Sequence, residues 1–262
     1  MRKLTKNIGL LIMISLVCLP VSLIVVNSFS YGWRFGHVVP EHYSARGWMI
    51  LFKDQKLIEA LQTTITIGIG VLILNFIIAF PAAKGLAQKS FFGKSMFETL
   101  LLLPILIPSL AVAMGLHITF IKLGLADHWL GVTIVHLIPT VPYTVRILRA
   151  GYERIGVKWE EQAKSLGASP LKIFATITLP LLYPSVRTAS FLIFVISLSQ
   201  YVLTALIGGG TVVTLATIYY PYFNTVDDAV IASFSILFAI LPIGFMLCIE
   251  LVIRTVIYIA KR

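Results

Sequence analysis

The sequence predicts an all-α fold: a polytopic membrane protein with six transmembrane helices, built as a single transmembrane domain over residues 1–262. Two observations carry that expectation. Of the 262 residues, 58% are apolar and only 12% charged, with a mean hydropathy of +0.94, whereas soluble domains run near ~45–50% and ~25%. The apolar residues also gather into six runs, and a crossing needs about 20 of them. This composition excludes a disordered chain, a disulfide scaffold and an ordinary cytosolic enzyme.

The expected spans are Ile8–Phe29, Leu61–Ala83, Phe97–Ile121, Leu130–Ile147, Val186–Ile207 and Ala229–Ile253. The first follows Arg2, Lys3 and Lys6, as a signal peptide would. Its apolar stretch is too long for that, and no small-residue cleavage site follows, so it is read as a retained helix. Cys18 and Cys248 both lie inside apolar runs without a CxxC partner, and are expected to be packing residues. The third and fourth spans contain Pro104, Pro108, Pro139 and Pro142, which remove helix hydrogen bonds and invite kinks. The 30–60 segment mixes Tyr31, Trp33, Phe35, Trp48 and Phe52 with charges and reads as an outer-surface loop or interfacial helix.

The net charge of +10 forms no single basic face, so it marks topology and not a nucleic-acid partner. Of the 21 Lys and Arg residues, 16 fall at the N-terminus, in 84–96, in 146–187 and at the C-terminal end. Positive-inside bias places both termini and the long loop, about 148–185, in the cytoplasm.

That loop carries the most informative stretch, Glu160-Glu161-Gln162-Ala163-Lys164-Ser165-Leu166-Gly167-Ala168-Ser169-Pro170, continuing to Ile177-Thr178-Leu179-Pro180. Trp159, Ala163 and Leu166 fall at i, i+4 and i+7, one apolar face of a short helix. Gly167 stands where a left-handed C-terminal cap is needed. Ser169 can cap the next helix, with Pro170 at its first position. An amphipathic helix of this kind has an apolar face that a partner protein would cover.

The spacing Glu161-x-Ala163-x3-Gly167-x9-Ile177-x-Leu179-Pro180 resembles the EAA loop of ABC-importer permeases of the binding-protein-dependent type. Gln162 departs from the alanine usual at the second position. The six-span layout is similar to the core of the same family, a type I importer permease. The resemblance implies that the loop is a coupling helix docking on an ATPase, with Trp159, Glu161, Ala163, Leu166, Gly167, Leu179 and Pro180 in that role. It further implies an ABC ATPase dimer, a second permease subunit (a heterodimer before a homodimer), an extracytoplasmic solute-binding protein and a place in the bacterial inner membrane, among its lipids. Ser197-Leu198-Ser199-Gln200-Tyr201 and Leu215-Ala216-Thr217-Ile218-Tyr219 resemble the polyamine, ferric-iron and thiamine branch.

Phe92-Gly93-Lys94-Ser95 ends like a P-loop, but Gln88 stands where its first glycine is required. No cofactor is therefore expected on this chain, and ATP and Mg are assigned to the partner ATPase. Polar residues inside spans are costly and often functional. Asn75, His117, His136, Ser197, Ser199 and Gln200 are the pathway candidates, each equally readable as an interhelical hydrogen bond. Glu250 and Arg254 are spaced for a local ion pair, and Asp227 and Asp228 for the outer mouth. The function expected is a non-catalytic permease subunit. The competing readings are an ion-coupled secondary transporter, which favours buried carboxylates and repeats, and a membrane enzyme, which needs clustered His, Asp or Glu.

Overall fold

The computed structural model describes residues 2–33, 37, 39–223 and 227–260; Phe35 and Gly36 lie outside the described residues. The described chain is helical, in the order α1 (Arg2–Ser28), α2 (Arg46–Lys53), α3 (Gln55–Gln88), α4 (Lys94–Leu106), α5 (Ser109–Lys122), α6 (Trp129–Ile155) and α7 (Lys158–Ser165). It continues with α8 (Pro170–Ile173), a π-helical turn (Phe174–Thr178), α9 (Leu179–Leu198), α10 (Tyr201–Ile207), α11 (Leu215–Tyr222) and α12 (Asp228–Ala260). Five helical stretches are long and apolar enough to cross a membrane: Gly9–Ser28, Gln55–Gln88, Trp129–Ile155, Pro170–Leu198 and Asp228–Ile259. A bent pair, α4 and α5, is long and apolar enough only when taken together, and its two helices meet at 96°.

That bend corrects the continuous third span expected over Phe97–Ile121. Pro108 has no N–H to offer the carbonyl of Pro104, and its ring holds Ile107 extended at φ −89° and ψ 130°. By contrast α6 runs through Pro139 and Pro142 as one helix. The fifth span is also corrected, from Val186–Ile207 to Pro170–Leu198. The Ser169 cap starts it early, and it stops where the Ser199 hydroxyl turns back to the carbonyl of Ile196, at 2.9 Å. Of the loop expected over 148–185, only residues 156–169 lie between α6 and α8, and they contain α7.

The chain divides into two compact units, Met1–Glu59 with Ile218–Leu241 and Ala60–Thr217 with Pro242–Arg262. In the first, Phe234 is fully buried with its ring 5.4 Å from Tyr219 and 5.0 Å from Tyr222. Gly47 sits so close to Ala229 that a Cβ would come within 2.6 Å of its carbonyl oxygen. Trp48 stacks with Phe52 and donates its indole N–H to Ser28, so the aromatic segment does contain a short helix. Arg46 pairs with Asp227 at 2.8 Å. Asp54 hydrogen-bonds Tyr222, whose phenol is held above its ordinary range by burial and by that carboxylate.

In the second unit, α3, α6 and α9 pack around two apolar clusters. One joins Ile67 and Val71 to Val135, Ile193 and Leu203; the other joins Ala79 and Ala83 to Leu148, Leu182 and Val186. Glu250 pairs with Arg254 as expected, and also lies 3.8 Å from Arg187 of α9. Cys18 and Cys248 are both exposed, which corrects their expected packing role: apolar sequence placed them on helices whose outer faces this chain does not cover.

Candidate functional site

The loop helix α7 is set up by its two ends. Gly156, at φ +70°, turns the chain out of α6. Glu160 and Glu161 fall in the first turn of α7 and Lys164 in the last, the arrangement its dipole favours. At the C-terminus Gly167 adopts φ +82°. The Gly167 N–H bonds the carbonyl of Lys164 at 3.0 Å and the Ala168 N–H bonds that of Ala163 at 3.1 Å. These two bonds constitute a Schellman cap. Ser169 then accepts from the N–H of Lys172, with Pro170 at the first position of α8, as the sequence indicates.

Pro180 explains the π-helical turn just before it. It cannot donate to the carbonyl of Thr176, and the Leu179 N–H reaches back instead to Phe174. Leu179 and Pro180 are half-buried at the start of α9.

The apolar face of α7 differs from the one expected. Trp159 is 57% exposed and Leu166 88%, and Leu171 of α8 adds 78%, but Ala163 is only 8% exposed. Ala163 therefore faces its own chain, as does Glu160 three residues before it. Glu161 is exposed. The Glu160 carboxylate pairs with Lys84 near the end of α3 and accepts from the Thr178 hydroxyl at 2.8 Å. These residues wall a cavity of about 520 Å³, together with Phe80, Tyr152 and Lys164. Helical spacing sets Glu160 with Glu161 and Lys164 away from the apolar face and gives no role to Lys84 or Thr178, but the structure turns Glu160 inward to both. Their separations of 76 and 18 residues leave no local signal.

A second polar assembly runs inside the helices. His136, Thr140 and Thr144 stand at i, i+4 and i+8 on α6, all buried. The Thr204 hydroxyl gives its proton to the carbonyl of Gln200, so its oxygen accepts from His136 Nε2, 3.0 Å away. This leaves His136 Nδ1 to accept from Ser197 at 2.9 Å. Thr140 donates to the His136 carbonyl and accepts from Asn75 Nδ2 at 2.9 Å. Thr144 donates to Asn75 Oδ1 at 3.0 Å.

Of the pathway candidates the structure thus joins His136 to Ser197 directly, and Asn75 to them through Thr140. Each of the three is buried and satisfied by neighbouring helices. Ser199 is exposed, Gln200 is half-buried with its carbonyl engaged by Thr204, and His117 stands half-buried on α5. The threonines were missed because a single hydroxyl in a helix carries no sequence signal of its partner.

A family model described as "Binding-protein-dependent transport system inner membrane component" matches residues 75–257, which include every candidate above. The molybdate/tungstate transport system permease protein WtpB of Pyrococcus abyssi (strain GE5 / Orsay) is 28% identical over 168 residues, 64% of this chain and 63% of that one. The molybdenum transport system permease protein ModB of Haemophilus influenzae is 31% identical over 157 residues, 55% of this chain and 69% of that one. A spermidine/putrescine transport system permease protein PotC homolog of Mycoplasma genitalium is 26% identical over 256 residues, 93% of this chain and 89% of that one. The chain spans less than two thirds of the length of the WtpB relatives it matches. Among solved structures, a bacterial ABC transporter involved in the import of the acidic polysaccharide alginate superposes with TM-score 0.74, at 17% identity and 95% coverage of both chains. The methionine ABC transporter MetNI, in an inward-facing form, gives 0.58 at 17% identity, covering 80% of this chain and 97% of that one. Both share the fold.

Proposed function

The chain belongs to the family of binding-protein-dependent transport system inner membrane components, and from that premise we propose that it is the permease subunit of an ATP-driven ABC importer. The observation that carries the reading is α7: an eight-residue helix, pinned at both ends, that presents Trp159 and Leu166 outward beside Leu171. Large apolar side chains on so short a helix favour a protein partner as their cover. In this reading the cover is the ATPase, and Glu161, Gly167, Leu179 and Pro180 shape the docking element while Ala163 packs it against its own chain. ATP and Mg reside on that partner, and this chain is non-catalytic.

Transport follows as alternating access. Closure of the ATPase dimer carries α7 with it, the helices that α7 is anchored to rock as rigid bodies, and the pathway between the permease subunits opens outward to a solute-binding protein. A second permease completes the pathway, as a heterodimer in preference to a homodimer. Both termini and α7 then face the cytoplasm, in keeping with the distribution of Lys and Arg.

The test is affinity purification of the tagged full chain from its own cells in mild detergent. A nucleotide-binding ATPase and a second six-span chain should co-purify. Replacement of Trp159 and Leu166 by serine should release the ATPase and spare the second permease. Recovery of the chain with no ATPase in any mild detergent would overturn the reading.

A further inference from the structure

We propose that Glu160 is a positioning residue: its carboxylate, held by Lys84 of α3 and Thr178 of the π-helical turn, fixes the roll of α7 and ties it to two spans at once. The inference deepens the importer reading and rests on it for the identity of the docking partner. Covalently, α7 is joined only to the end of α6 and the start of α8. The Glu160–Lys84 pair adds α3, which no backbone connection near the loop would reach. The Glu160–Thr178 bond adds the turn that leads into α9.

An exposed ion pair would carry little weight. This one differs in two respects. The Glu160 side chain is only 16% exposed, and its second oxygen accepts from a different element. Losing Lys84 would strand that mostly buried carboxylate, whereas losing Glu160 frees a Lys84 side chain that is 44% exposed and leaves α7 untied. The geometry of the helix converts this into direction. Glu160 and Ala163 are one turn apart on the inner face, and Trp159, Gln162 and Leu166 lie on the outer one. Holding Glu160 inward therefore holds Trp159 and Leu166 outward. The cavity beneath α7 leaves room for the helix to roll once the tie is cut. Glu161, one position later, is exposed and makes no such tie among the described residues.

The experiment places a nitroxide label on Leu166→Cys, with Cys18 and Cys248 replaced, and reads its mobility in the purified full chain. Glu160→Gln should add a mobile component. Lys84→Arg should keep the parent spectrum, and Thr178→Val, which spares the ion pair, should fall between. Exchanging the charges, Glu160→Lys with Lys84→Glu, should restore the parent spectrum, an outcome that loss of packing alone would not produce. With the unlabelled chain, ATPase capture should drop roughly tenfold in Glu160→Gln and recover in the exchange. Thr178→Val substitutes where Glu160→Gln does not accumulate. Parent-like mobility in both Glu160→Gln and Thr178→Val would overturn the proposal. Changed mobility with no ATPase captured by the parent would sustain the tie and sink the importer reading instead.

Discussion

The N–H of Ala168 bonds the carbonyl of Ala163 at 3.1 Å, and the chain can make that reach only because Gly167 between them has φ +82°. No atom lies within 4 Å of where a Cβ would stand, so a side chain at Gly167 meets strain and not a clash. A β-branched residue should cost about 1–3 kcal/mol in this conformation. Gly167→Val is therefore expected to accumulate normally in the membrane and to lose ATPase capture, because the cap that directs α7 is undone. Gly167→Asn should retain most of it, since asparagine tolerates the left-handed region. Pull-down at matched membrane levels checks the order. Equal capture by the valine variant would show that the cap does not orient the helix.

This cap was legible in the sequence because every part of it is local. Gly167, Ser169 and Pro170 each announce a helix end by their own backbone preferences, and the structure uses all three. The orientation of α7 was not legible. Periodicity put Trp159, Ala163 and Leu166 on one face, but which part of the helix turns inward depends on Lys84, 76 residues away. Distance in sequence hid the inner assembly in the same way: His136 and Asn75 stand out as polar residues in apolar runs, whereas Thr140, Thr144 and Thr204 do not. The break at Pro108 was half legible. A proline invites a kink, but a 96° bend requires the preceding residue to be held extended as well.

Asn75 should behave as a fastening between α3 and α6. Its amide engages Val71, Thr140 and Thr144, and its side chain is fully buried. Interhelical hydrogen bonds of this kind are worth about 0.6 kcal/mol on average and up to ~1.7 in a membrane protein. Asn75→Ala is expected to lower thermal stability in detergent by an amount in that range and to leave ATPase capture intact. Unchanged stability together with altered solute selectivity would return Asn75 to the pathway.

The orientation proposed from the basic residues is checked by labelling. Cysteines at exposed Gly210 and Ser90, in a background without Cys18 and Cys248, should separate. Gly210 should react with an impermeant thiol reagent in intact cells, and Ser90 only after permeabilisation. Reaction of Ser90 from outside would invert the topology and place α7 away from any cytoplasmic ATPase.

Gly151 should be the position where the packing of α6 on α9 is least tolerant. A Cβ there would come within 2.5 Å of Ser185 Oγ and 2.7 Å of Leu182 Cδ2. Two effects compete in Gly151→Ala. Helix propensity favours alanine by about 0.8–1 kcal/mol, while overpacking costs about 1–3 kcal/mol. The serine hydroxyl can rotate away, whereas Leu182 is fully buried in the cluster that joins α6 to α9, so turning its Cδ2 aside disturbs packed neighbours. Overpacking should win. Gly151→Ala is expected to unfold at lower temperature than the parent and Gly151→Leu lower still, read as loss of the monodisperse peak after heating in detergent. Ser185→Ala in the Gly151→Ala background should recover part of the loss, because it removes the contact with Oγ and leaves those with Leu182 Cδ2 and with the Cβ of residue 185, 3.0 Å away. A Gly151→Ala variant more stable than the parent would mean that the helices part at this turn.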